Sequence, residues 1–168
     1  RGGQPIGTTM GFTPLEGLMM GTRSGSVDPG ILLHLIQQYG VNAHQLDESL
    51  NRRSGLLGVS GVSSDFREVE TAARAGNERA RLAIDMFADR IRATISALAV
   101  TLGGVDALVF TAGIGENSVA LRIRACDGLQ CLDLLLDEER NQENMADSDI
   151  AQNGSGGRIL LIRTREEQ

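Results

Sequence analysis

One helix constrains this chain more than any other feature. Between Asn77 and Leu102, the residues Ile84, Phe87, Ile91, Ile95, Leu98 and Leu102 recur at spacings of 3, 4, 4, 3 and 4. That period lays them along one stripe of an α-helix of about seven turns. Its polar positions (Glu78, Arg79, Arg81, Asp85, Asp89, Arg92) gather early and the last two turns are nearly all apolar. The C-terminal end is therefore expected to be buried deepest. Gly103-Gly104 breaks the helix, and Val105 to Thr111 (VDALVFT) follows as a short β-rich run of the kind expected for a central parallel strand covered on both faces. A long helix delivering the chain to a buried strand implies an α/β fold.

The remaining elements follow from local punctuation. Asp28-Pro29 opens a helix through Ile31, Leu32, Leu35 and Ile36 that Gly40 should end. A second helix is expected from Asn42 to Arg53, stopping at Ser54-Gly55, and LLGVSGVSS from Leu56 reads as a turn-rich connector. Asp65 with Glu68 has the form of a capping box for a helix that Gly76 closes. After Thr111 the chain reads AGIGENS, where Gly113 and Gly115 permit positive φ; Asn117 or Ser118 then caps a helix running to about Asp127. Leu132 to Met145 offers a weaker helical stretch, 147–157 a polar loop, and Arg158 to Thr164 (RILLIRT) a final strand. Residues 1–27 read as the end of a strand and a structured loop, and no internal repeat is visible.

Composition excludes several function classes. At 168 residues the chain is one domain or the larger part of one. Its 41% apolar and 23% charged residues fit neither disorder nor a fibrous fold. A net charge of −6 disfavours a broad nucleic-acid footprint, and no apolar run approaches a membrane span. Cys126 and Cys131 make no disulfide framework and read as small buried hydrophobes, which points to a reduced, cytoplasmic protein. The opening Arg1-Gly2-Gly3 reads as the start of an excised fragment.

Three places could carry chemistry. At TAGIGENS a strand, a glycine turn and a helix N-terminus together would let a nucleotide approach the backbone closely, although glycines also serve simple tight turns. Arg23, among the small residues of GTRSGSVDP, offers a planar fork to phosphate or carboxylate, or merely faces water. Asp65, Phe66 and Arg67 are accounted for by capping, packing and solvation respectively. His34 and His44 lack partners at metal-ligand spacing.

Four blocks, in order and at matching separations, carry a resemblance: MGFTPLEGLMMGTRSG (Met10 to Gly25), SGVSSDFRE (Ser60 to Glu68), TAGIGENS (Thr111 to Ser118) and RILLIRTREE (Arg158 to Glu167). Together they are similar to the acetate kinase family across essentially the whole chain. The resemblance implies residues 1–168 as an incomplete nucleotide-binding C-terminal domain of the actin-like and sugar-kinase ATPase fold, a ribonuclease H-like core with several helices. It implies magnesium-dependent, reversible transfer of the γ-phosphoryl of ATP to acetate, giving acetyl phosphate and ADP, and a homodimer joined through such domains. By the same resemblance Arg23 stabilises the phosphoryl group in flight, a role suited to its guanidinium. Asp65, Phe66 and Arg67 lie beside the adenosine. Gly113, Ile114, Gly115, Glu116 and Asn117 hold adenine and ribose, and Glu166 is associated with the magnesium ion.

The chain departs from the pattern in having Gly7 where the family usually has an Asp before its Thr/Ser-Met-Gly-Phe block. The other family domain, with its acetate pocket, has no counterpart here. The isolated chain is therefore expected to keep part of the adenosine site without catalysis. Propionate or butyrate as acceptor, or a non-catalytic nucleotide-binding or interaction module, are the alternatives.

Overall fold

A computed structural model describes residues 2–165. The chain divides into two compact units, one of residues 8–90 and the other of residues 1–7 with 91–168.

In the first unit, helix α1 (Pro29–Tyr39) begins as the sequence indicates: the Asp28 carboxylate accepts the Gly30 N–H at 2.8 Å, and Gly40, at φ 65°, ends it. Helix α2 (Ala43–Arg52) is opened by a reciprocal capping box between Asn42 and Gln45. Two expectations fail nearby. Residues from Leu56 form a six-residue helix, α3 (Gly55–Ser60), because glycine at Gly55 adopts φ 62° and Leu56 is fully buried. In helix α4 (Phe66–Arg74) the Asp65 cap bonds the Arg67 N–H rather than forming a box with Glu68. No strand forms among the described residues before α1; residues 2–27 are turns and irregular backbone.

Helix α5 (Glu78–Leu102) is continuous, with residues 78–90 in the first unit and 91–102 in the second. Its burial reverses the expectation. Ala80, Ala83, Ile84, Phe87 and Ala88 are buried in the first half, where Phe87 meets Phe66 of α4 at 5.7 Å between ring centroids and Arg79 donates to the Val59 and Gly58 carbonyls of α3. Towards the other end Ala99 is buried, but Val100 is 81% exposed. Apolar density marks a face as adhesive; the elements alongside decide whether it is covered.

In the second unit, β1 (Ala107–Phe110) runs parallel to β3 (Arg158–Leu161), which pairs antiparallel with β2 (Ser148–Asp149), in the order β1-β3-β2. β1 therefore lies at an edge of the described sheet, and Val109 is half exposed instead of covered on both faces. Helix α6 (Ala112–Asn117) and helix α7 (Val119–Cys126) follow, α7 capped by the Ser118 hydroxyl at 3.1 Å from the Leu121 N–H. The stretch read as weakly helical splits into a 3-10 turn (Leu129–Leu132), a bridge from Leu136 to Ala151, and helix α8 (Glu138–Glu143). The expected polar loop contains β2 and the buried Ile150 and Ala151. Phe110, Ala125, Cys126, Leu129, Leu134, Ile159 and Leu161 complete this core. Cys126 is buried as expected, and burial pushes its thiol up to about 12, whereas Cys131 is exposed, against the expectation for it. Among the described residues no helix is long and apolar enough to cross a membrane.

Candidate functional site

Two segments place the sequence-selected residues, and each is built differently. In the first unit, the loop carrying Arg23 is held by main-chain bonds. The Met20 N–H donates to the Arg23 carbonyl at 3.0 Å. The Met20, Gly21 and Thr22 carbonyls accept from Leu56, Leu57 and Ser54, each at 2.9 Å. Ser24 N–H reaches the Leu50 carbonyl at 2.9 Å, and the Thr22 hydroxyl donates to the Asn51 carbonyl at 2.8 Å. The loop is thus stitched to the end of α2 and the start of α3. Gly55 is the key to that stitch: a Cβ there would overlap the Met20 carbonyl oxygen and lie 2.7 Å from that of Arg23. With its backbone pinned, Arg23 has a half-buried side chain whose Nη1 meets the soft Met20 thioether at 3.8 Å.

Asp65, Phe66 and Arg67 divide their tasks at the start of α4. The Phe66 ring is buried against Phe87, so it presents no face to solvent. The Arg67 guanidinium folds back onto Asp65, with Nη2 2.6 Å and Nε 3.1 Å from its two carboxylate oxygens. Those side-chain bonds, with the Arg67 backbone N–H, hold the Asp65 carboxyl at about 2.

In the second unit, the glycines of AGIGEN sit inside α6, and the positive φ expected of them falls instead on Ala112, at 58°. The Ala112 N–H is already taken, donating to the Thr164 hydroxyl at 2.9 Å. A Cβ on Gly113 would meet nothing within 4 Å, so the surface there is open to close approach. Ile114 is partly buried, and the Asn117 amide donates to the Gly113 carbonyl at 2.7 Å. The Glu116 carboxylate accepts both the N–H and the hydroxyl of Thr164 at 2.8 Å, which holds it below the usual carboxylate range.

Beneath α6 lies a residue that the sequence reading passed over. Arg122 is fully buried, and its donors are met by neutral oxygens: Nε by Asn141 Oδ1 at 2.6 Å, Nη1 by the Gly115 and Glu116 carbonyls at 2.8 and 2.9 Å, and Nη2 by Asn144 Oδ1 at 2.6 Å and the Asn141 carbonyl at 3.3 Å. Burial lowers its pKa from an ordinary value so high that the group stays charged. It satisfies the last carbonyls of α6 from below, while Glu116 ties the turn from the side. In the sequence Arg122 is one of two arginines on a short helix, and only its distant partners Asn141 and Asn144 distinguish it from Arg124.

Glu166 lies outside the described residues. Among the described residues no three His, Cys, Asp or Glu side chains gather as metal ligands.

A model of the acetokinase family matches residues 1–168. The chain belongs to the acetokinase family. The acetate kinase of Nostoc punctiforme is 54% identical over 167 residues, covering 99% of this chain and 41% of that protein. The crystal structure of Porphyromonas gingivalis acetate kinase superposes with a TM-score of 0.89 at 45% identity, over 95% of this chain and 40% of that one. A propionate kinase structure from Francisella tularensis gives 0.88 at 38% identity, again over 95% and 40%. This acetokinase chain thus shares an α/β fold with part of the solved kinases and spans about two fifths of the length of the curated relatives it matches.

Proposed function

We propose that this chain is the nucleotide-binding portion of an acetate kinase, an enzyme that moves the γ-phosphoryl of ATP to acetate and back. The observation that carries the reading is the α6 turn, whose open Gly113 surface is fixed by a buried cation and a hydrogen-bonded carboxylate inside a chain of this family. Gly113, Ile114, Gly115 and Asn117, in the same turn as Glu116, receive the adenosine: Ile114 offers an apolar face and the glycines allow the backbone to come close. In the other unit Asp65 and Arg67 are nucleoside contacts by the family resemblance, and Phe66 acts from the core by anchoring them. Arg23, its backbone pinned and its guanidinium against the Met20 thioether, is prepared to meet phosphoryl oxygens as charge develops on them. Glu166 would be the protein-side partner of a magnesium ion, which would supply charge neutralisation to the polyphosphate.

The 168 residues bind nucleotide without turning over acetate, since the acceptor pocket belongs to the rest of the kinase. Acetate is the first acceptor. Propionate is the alternative, named by the Francisella tularensis propionate kinase on which the chain also superposes, and the choice between them lies in the pocket outside this chain. The exposed apolar side chains of α1 (Ile31, Leu33, Ile36, Tyr39) suit a homodimer contact. The protein is proposed to work in the cytoplasm.

The test is a chimera in which this chain replaces the matching segment of the Nostoc punctiforme enzyme. Acetate-dependent ADP formation is expected, with Arg23→Ala lowering kcat by about a thousandfold. A folded chimera without activity, or one indifferent to Arg23→Ala, would overturn the proposal.

A further inference from the structure

Glu116 stands at an odd place for a nucleotide contact. Its oxygen Oε1 is already engaged by two donors of Thr164 at 2.8 Å. Thr164 lies just beyond β3, where the parallel ladder has carried the chain past Phe110: the Ile162 N–H donates to the Phe110 carbonyl at 2.9 Å. Its hydroxyl is fully used. It donates to Glu116, accepts the Ala112 N–H at 2.9 Å, and lies 3.0 Å from the Thr111 hydroxyl, which donates to it. The clasp therefore closes on the residue with strained backbone, Ala112 at φ 58°, a conformation that persists where its surroundings over-determine it. On its far side the segment is tied again, with the Arg163 N–H 3.2 Å from Asp147 Oδ1 and the Arg165 guanidinium paired with Asp147.

From this arrangement we propose that Glu116 is a positioning residue, not a nucleotide contact: through Thr164 it fixes the α6 turn against the chain leaving β3. The inference rests on the nucleotide reading above and assigns Glu116 a different task within it. The clasp sets the Ala112 turn, and that turn sets where the open backbone at Gly113 faces. Thr164, which no sequence argument selected, becomes its second member.

The experiment is a double-mutant cycle on the 168-residue chain, with Mg-ADP affinity read by calorimetry and amide exchange read by NMR. Glu116→Leu and Thr164→Val are each expected to weaken ADP about tenfold, and the double variant no more than either alone, because both break one clasp. Thr164→Ser keeps the hydroxyl and Glu116→Gln keeps the accepting Oε1, and both are expected to retain the affinity. Exchange protection of the Ala112 and Thr164 amides should fall in Glu116→Leu with no nucleotide present. Additive losses, or an unchanged affinity in Thr164→Val beside a large loss in Glu116→Leu, would show direct contact and overturn the proposal while leaving the nucleotide reading intact. Unchanged exchange protection in Glu116→Leu would overturn the clasp itself. A wild-type chain that fails to bind Mg-ADP would overturn the nucleotide reading, and the positioning role with it.

Discussion

The Arg23 loop and the α6 turn are both short, glycine-bearing segments, yet they are held in opposite ways. Around Arg23 the bonds run from main chain to main chain, into the end of α2 and the start of α3, and Gly21, Gly25 and Gly55 each lie too close to neighbouring backbone to carry a Cβ. At α6 the frame is made of side chains reaching from 19 and 48 residues away in sequence, Asn141 to Arg122 and Thr164 to Glu116. A backbone-held loop leaves its own side chain available for ligand. A side-chain-held turn leaves its backbone available instead, which suits close approach at Gly113.

That contrast breaks most sharply at Arg122. Replacing it with Met strands the Gly115 and Glu116 carbonyls and the Asn141 and Asn144 side chains, and is expected to cost about 3 kcal/mol or more in urea unfolding. A loss under 1 kcal/mol would mean the turn does not depend on it. At the other segment the sensitive position is a glycine. Gly55→Ala must adopt φ 62° against the Met20 carbonyl and should cost about 2 kcal/mol by the same measurement. Asp65→Ala removes the cap of α4 and should lower Tm by a few degrees at neutral pH. Because the folded carboxyl is depressed from 3.8 to about 2, its contribution is complete above about pH 4 and disappears as pH falls through 2. The Tm difference between wild type and Asp65→Ala should shrink over that range and stay constant above it. The smallest effect is expected at Arg23, where truncation to Ala should change stability by no more than about 0.5 kcal/mol while removing the side chain that the proposed chemistry needs.

Local chemistry was legible in the sequence, and long-range chemistry was not. The Asp28 cap, the Gly40 stop and Ser118 as one of two cap candidates are readable because each depends on residues within four positions. α3 was missed because its first residue carries the positive φ that makes a helix start look like a helix stop. The burial gradient along α5 was reversed because its apolar stripe says nothing about its neighbours. TAGIGENS was legible as a special turn, but its strain was assigned to the glycines. In the fold it falls on Ala112, since Thr164, more than fifty residues on, holds that N–H. Arg122 and Thr164 were invisible for the same reason: the role of Arg122 exists only once α8 and α6 lie beside it, and that of Thr164 only once β3 pairs with β1.

The most direct test of the account is a titration of the ¹⁵N-labelled chain with Mg-ADP, followed amide by amide. It predicts saturable shifts at Gly113, Ile114 and Asn117, smaller ones at Thr164 transmitted through Glu116, and none in the groove lined by Ile123, Gln130 and Gln152. Saturable shifts confined to that groove, or no shifts at millimolar nucleotide, would contradict it.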